Sequence, residues 1–175
     1  LDHSSPKFAV GGKLGLDCTG DEITELGIIL LKDNELLERM KAITSEVKDL
    51  KQYFTDTKNP IAVISVEKTR NQKYLFEDLK PLFEHIKILI IVENNKNDVN
   101  NSYMLVWRVA NNIDSNRDLF IDGHTMCLDA TNKNAFDNFN RRWPDDVDCS
   151  KEVIESLRER KIIDVSDEFI NKFYL

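Results

Sequence analysis

The chain is poor in cysteine, and its three thiols, Cys18, Cys127 and Cys149, lie far apart with no Cys-x-x-Cys pair among them. That pattern speaks against a disulfide framework and a structural zinc site, and it fits reduced thiols in a cytoplasm. Long apolar runs are also missing: the longest, Gly27 to Leu31, is far short of the roughly 18 to 20 residues that span a bilayer. The opening residues Leu1-Asp2-His3-Ser4-Ser5-Pro6 have no initiator Met, no basic start and no apolar centre. No signal peptide is read there, and the sequence is expected to begin within a longer polypeptide. Positive charge is in deficit too. With 24 Lys and Arg against 31 Asp and Glu, the formal net charge is -7, which opposes binding to nucleic acid or to an anionic leaflet. A Gly-x-Gly-x-x-Gly turn is absent after Val66 and after Val92, which argues against a dinucleotide fold.

What is present is an ordinary globular composition, 41% apolar and 9% aromatic over 175 residues, enough for one core with a helical appendage. From Asp33 to Phe54 the residues Leu36, Met40, Ile43, Val47, Leu50 and Phe54 recur at steps of four and three. This heptad spacing predicts one long helix, with Asp33 and Asn34 as caps and its end between Asp56 and Pro60, and it offers a seam that could dimerise or pack on its own domain. A β-branched run then predicts a strand over Ile61 to Val66, followed by a helix from Gln72 that Pro81 kinks or restarts. The run Ile86 to Val92 reads as a central strand covered on both faces. Asp98 is a candidate cap for a third helix with Val99, Tyr103, Val106, Trp107, Ala110 and Ile113 on its face, and Arg117 to Asp122 predicts the next strand. Alternating strands and helices imply an α/β fold, a mostly parallel sheet with helices on both faces, preceded by the long helix. Ser150 and Ser166 should open two further helices.

Several clusters carry possible chemistry. Asp145-Asp146-Val147-Asp148 could hold a hard divalent cation, or form an acidic loop running into the dipole of the helix after Ser150. His3, His85 and His124 are too far apart for a zinc spacing, and Cys127 beside His124 and Asp129 is read as a buried thiol at a strand end rather than a nucleophile. Gly11-Gly12-Lys13-Leu14-Gly15 lacks the preceding strand of a phosphate loop and reads as a turn, with Asp17 and Thr19 bonding local backbone. Arg141-Arg142-Trp143 has the composition of a nucleic-acid contact, but the acids after it cancel its field, and packing of Trp against Arg stems is expected. No catalytic, cofactor-binding or metal residue is assigned.

One internal echo organises the chain. Lys13 to Asp21 resembles Thr125 to Lys133, and both contain Leu-Asp-x-Thr. An offset of domain size suggests a duplication.

Leu1-Asp2-x-x-Ser5-Pro6 with Gly12-Lys13-Leu14-Gly15-Leu16-Asp17-Cys18-Thr19 resembles the end of the C-terminal domain of UbiD-type decarboxylases. Ile61 to Glu67, Lys87 to Glu93, Trp107, Asp114-Ser115-Asn116-Arg117-Asp118, Leu128-Asp129-Ala130-Thr131-Asn132-Lys133 and Arg142-Trp143-Pro144 resemble a second copy of that domain. The second copy departs from the family pattern where His124 to Cys127 replaces the Gly-rich lead-in and Ser115 replaces a Pro. The resemblance implies three segments: 1–22 as the tail of a first copy, 23–59 as a helical linker, and 60–175 as a divergent second copy. For the whole enzyme it implies non-oxidative decarboxylation of an aromatic or unsaturated acid on prenylated FMN with Mn or Mg, in quinone biosynthesis. The family's catalytic, flavin and metal residues belong to a preceding domain, so no cofactor is expected in this segment. Its implied role is self-association of subunits or cover for the active site, and a stand-alone scaffold domain is the alternative.

Overall fold

A run such as Ile61-Ala-Val-Ile-Ser-Val66 favours the pleated backbone, because branched side chains pack well on both faces of a sheet. In the computed structural model, which describes residues 27–173, this run is strand β2 (Ile61–Val66). Before it come α1 (Asp33–Ile43) and β1 (Val47–Tyr53). After it come α2 (Gln72–Asp78), a 3-10 helix (Lys80–His85), β3 (Ile88–Glu93), α3 (Ser102–Asn112), β4 (Leu119–Asp122) and β5 (Thr125–Asp129). A short 3-10 turn (Ala135–Asp137), α4 (Lys151–Glu159) and α5 (Asp167–Phe173) complete the described residues.

The five strands form one sheet in the order β1-β2-β3-β5-β4. β2, β3 and β5 run parallel, and the two edge strands are antiparallel to their neighbours. Alternation along the strands sorts the core into two layers. Ala62, Ile64, Val66, Leu89, Ile91 and Cys127 pack beneath α1, α2 and the 3-10 helix, against Leu36, Met40, Leu75, Phe76 and Phe83. Val63 and Val92 face the other way, onto Val99 and Leu105 of the α3 region and Ala130 after β5. The helices therefore cover both faces. Each fully buried Leu, Ile or Phe contributes roughly 1.5–3 kcal/mol relative to exposure, so these layers supply the main stabilising term.

Four expectations require correction. The long helix ends at Ile43, and its second half is β1, hydrogen-bonded from Val47↔Val66 to Tyr53↔Ile61. A β-bulge between Val47 and Asp49 explains the misreading. The extra residue reverses the side-chain parity, so that Val47 and Leu50, three apart, both enter the first core layer and imitate a helical step. Phe54, the last residue of the presumed seam, is exposed with φ 55° just beyond the strand.

The caps also differ. Lys32 precedes α1 with no side-chain cap, while Asp33 in the first turn accepts hydrogen bonds from Lys51 Nζ (3.1 Å) and Gln52 Nε2 (3.0 Å). Asn101, not Asp98, caps α3, accepting from the Met104 N–H at 3.3 Å. The buried face of α3 is Leu105, Arg108 and Asn112, and Tyr103 and Val106 are exposed. Hydropathy points to the wrong face here because two of the inward residues are polar.

Finally, the strand after α3 is an antiparallel edge strand, and the third parallel strand is β5, which carries the Leu-Asp-x-Thr motif. β4 and β5 meet through Gly123-His124, where Gly123 takes φ 56°, a conformation that favours glycine in a two-residue hairpin loop. Pro81 does end one helix and begin the next, and Ser150 does cap α4 through the Val153 N–H, as the sequence predicts.

Candidate functional site

The carboxyl ends of the parallel strands gather most of the polar chemistry. β2 delivers Glu67 and Lys68, β3 delivers Glu93, Asn94 and Asn95, and β5 delivers the residues from Ala130 to Asn134. Between them lies a crevice of about 410 Å³ lined by Val66, Glu67, Lys68, Glu93, Asn94, Asn95 and Asn134.

Beneath the crevice the two sequence motifs meet in a buried ionic cluster. Asp114-Ser115-Asn116-Arg117-Asp118 closes on itself: the Arg117 and Asp118 N–H groups donate to the Asp114 carbonyl at 2.9 and 2.8 Å, and the Asp114 N–H donates to Asp118 Oδ2 at 2.8 Å. The Arg117 guanidinium grips both Asp118 oxygens at 2.7 Å. Lys133 Nζ then reaches Asp129 Oδ2 (2.8 Å), the Asp129 carbonyl (2.8 Å) and Asp118 Oδ1 (3.3 Å). Lys133 is fully buried, with one carbonyl and two carboxylate oxygens around its ammonium. The Thr131 hydroxyl donates to Asp129 Oδ1 at 2.6 Å and accepts from Lys68 Nζ at 2.9 Å. Lys68 also donates to the Asn132 carbonyl (2.9 Å) and to Asp137 Oδ2 (2.6 Å), so its three N–H groups are used.

The cluster tunes its own members. Burial alone would raise the Asp129 carboxyl, but the ammonium groups of Lys133 and Lys68 outweigh it and hold Asp129 below the usual carboxylate range. Burial, with the Asp129 charge, pushes the neighbouring Cys127 thiol well up and disfavours its thiolate. Cys127 faces the first core layer, a packed thiol rather than an activated one.

The other sequence candidates are dispersed. Asp146 binds Arg108 of α3 through Oδ1 (2.7 Å) and Oδ2 (3.3 Å), and Lys96 donates to it at 3.2 Å. Burial would raise the Asp146 carboxyl, and the Arg108 and Lys96 hydrogen bonds and charges lower it instead. Asp145 pairs with Arg142, and Asp148 accepts the Cys149 N–H. The acidic run is thus a strap tied to α3, not a metal cluster. Among the described residues no group of three or more His, Cys, Asp or Glu could hold a metal ion. His85 Nδ1 contacts the Ile29 carbonyl at 2.8 Å and His124 Nε2 the Phe83 carbonyl at 2.9 Å, each pinning a loop. Trp143 packs on Phe139, and the Arg141 guanidinium lies over the same ring. His3, Cys18, the Gly11 to Gly15 turn, Asp17 and Thr19 lie outside the described residues.

Sequence reasoning missed Lys68, Asp137 and Arg108. Lys68 was signalled by its place just past a buried parallel strand, and Arg108 by being the lone charge within an apolar helix. Asp137 had no local signal, since its role is fixed by Lys68, 69 residues away in sequence.

A profile of the 3-octaprenyl-4-hydroxybenzoate carboxy-lyase C-terminal domain matches residues 28–154. The chain belongs to this UbiD C-terminal domain family. Its match begins before β1, in agreement with the sheet, which includes β1. Two uncharacterized proteins of Helicobacter pylori, from strains J99 and 26695, are each 44% identical to it over 178 residues. The alignments cover 100% of this chain but 28% of each relative, so the chain spans less than a third of their length. Among solved structures, vanillic acid decarboxylase of Sedimentibacter hydroxybenzoicus in its open form shares the fold, with TM-score 0.50 and 20% identity over 73% of this chain and 32% of that one. An evolved dimeric form of a UbiD-class enzyme of Pelotomaculum thermopropionicum, in complex with prFMN, aligns at TM-score 0.48 and 22% identity over 64% of this chain and 26% of that one.

The described residues at this crevice do not suit a flavin phosphate or a divalent metal. Lys68, the cation at the crevice, has no N–H left for a phosphate, and among the described residues no group of three or more His, Cys, Asp or Glu is placed to hold a metal ion. No chemical step is therefore drawn through either group.

Proposed function

We propose that this chain is the C-terminal portion of a UbiD-type decarboxylase, which packs subunits together or covers the active site while the chemistry is done elsewhere in the polypeptide. The observation that carries this reading is the buried Asp118–Lys133–Asp129 link. It consumes the motif residues in holding β4, β5 and the turn before them, leaving a scaffold rather than a reacting centre. The much greater length of the Helicobacter relatives supports a parent with further domains.

On the same reading, residues 1–22 are the tail of a first copy of the domain and 60–175 a divergent second copy. The intervening 23–59 links them and supplies α1 and β1. The parent acts in the cytoplasm on an aromatic or unsaturated carboxylic acid, using prenylated FMN and a divalent metal, in quinone biosynthesis. Support for the substrate class comes from the family to which the domain belongs. No helix among the described residues is long and apolar enough to cross a membrane.

The test is to load the full-length polypeptide with prenylated FMN and Mn and to assay carbon dioxide release from a panel of aromatic and unsaturated acids. Release from at least one acid supports the proposal. No release from any acid, with flavin bound, favours a scaffold that has lost the chemistry.

A further inference from the structure

From Asn140 to Phe173 no residue is buried, although this stretch contains α4 and α5 and carries apolar side chains along its whole length. Short helices are marginal in water on their own, and burial of an apolar face is what ordinarily offsets the entropy of ordering them. α5 has part of what it needs: Phe173 meets Tyr103 of α3 edge-on at 4.6 Å, and Asn101 Nδ2 donates to the Lys172 carbonyl at 2.9 Å. α4 has less. Its ties to the α5 segment are polar, from Arg158 to Asp167 at 2.6 Å and to the Val165 carbonyl at 2.9 Å.

α4 nevertheless presents an apolar face. Val153 and Ile154 lie four and three residues before Leu157, within reach of one another on the helix surface. The helix then stops in a Schellman turn. The Ile162 N–H donates to the Leu157 carbonyl at 2.9 Å, the Lys161 N–H to the Arg158 carbonyl at 2.9 Å, and Lys161 takes φ 53°. Such a stop characteristically lays the residue at Ile162 against the one at Leu157, which prolongs the face past the end of the helix. Val153 is 48% and Ile162 55% exposed, so one copy of the chain leaves this face uncovered.

The charges beside the face select what covers it. The first half of α4 carries Glu152 and Glu155 against Lys151, and its end carries Arg158, Arg160 and Lys161 against Glu159. The two ends thus have opposite net charge, which makes the surface complementary to itself about a two-fold axis. An antiparallel second copy sets each acidic end beside a basic end, opposes the two helix dipoles and lays apolar face on apolar face.

We propose that α4, together with Ile162, is an interface between two copies of this chain, paired antiparallel about a two-fold axis near Ser156. The proposal deepens the subunit-packing part of the function proposed above and rests on it.

Sedimentation velocity of the full-length polypeptide over a concentration series, at fixed ionic strength, tests it with two charge-reversed variants. Glu152→Lys with Glu155→Lys, and Arg160→Glu with Lys161→Glu, each set like charges against each other in a self-pair. Each variant alone should associate at least tenfold more weakly. Mixed in equal amounts the two regain complementary ends, and association should return to the level of the unaltered protein. Val153→Ser leaves the end charges in place and should weaken association several-fold with an unchanged unfolding midpoint; it carries the test if the reversed variants lose helix by circular dichroism. Undiminished association in the folded variants, or a mixture as weak as its parts, overturns this interface and leaves packing through another surface standing. A polypeptide that stays monomeric throughout the series overturns it together with the subunit-packing reading.

Discussion

Lys133 Nζ stands 2.8 Å from Asp129 Oδ2 and 3.3 Å from Asp118 Oδ1, so one buried ammonium joins the turn before β4 to the end of β5. Two motifs separated in sequence thereby become a single structural unit. Replacing the cation with an apolar residue leaves the buried Asp129 carboxylate without its adjacent cation, while Asp118 keeps only Arg117. Lys133→Met should therefore destabilise the fold by about 3–5 kcal/mol. Urea unfolding followed by circular dichroism measures this; a loss below about 1 kcal/mol would mean that the cluster is not a lock.

The same cluster sets an acid limb of stability. A carboxyl held below its unfolded value contributes fully above about pH 4, and that contribution is lost as pH falls through the lower folded value. Asp129 is such a group, as is Asp146. Asp129→Asn should be less stable than the parent at pH 7, with the difference shrinking as pH falls below 4. Urea midpoints at pH 7 and pH 3 provide the comparison, and a difference that does not change with pH would contradict the assignment.

How much of this was legible in the sequence depends on the kind of signal. Continuous apolar runs at Ile61 and Ile88 marked the parallel centre correctly, because burial on both faces leaves no alternation to misread. The bulge at Val47 to Asp49 was invisible, since its false helical spacing arises only when the strand pairs with β2. Arg108 and Asn112 turned the buried face of α3 away from the hydropathy stripe because their partners, Asp146 and the Ala130 carbonyl, lie far along the chain. The Asp-x-x-Arg-Asp and Leu-Asp-x-Thr motifs could be recognised, but that they meet through Lys133 could not be read from spacing.

Arg108 ties the 145–148 strap to α3, and its side chain is 1% exposed. Arg108→Met keeps the stem packed and removes the tether, so limited proteolysis after the strap's basic neighbours should speed up several-fold while the core strands stay intact. Equal cleavage rates in the two proteins would show that the strap is held by other contacts.

The two described thiols should differ in reactivity. Cys149 is exposed, whereas Cys127 is buried with its thiol pushed up. Iodoacetamide labelling followed by peptide mass analysis should modify Cys149 in the native protein and Cys127 only after unfolding. Rapid native labelling of Cys127 would place it outside the core.

The central claim is that this segment organises an enzyme whose chemistry lies elsewhere, and deleting residues 22–175 from the full-length polypeptide addresses it most directly. Sedimentation velocity and carbon dioxide release would be measured on the same preparations, with flavin content as a check on folding of the remainder. The account predicts retained flavin, together with lost assembly or at least tenfold slower turnover. Unchanged assembly together with unchanged turnover would contradict it.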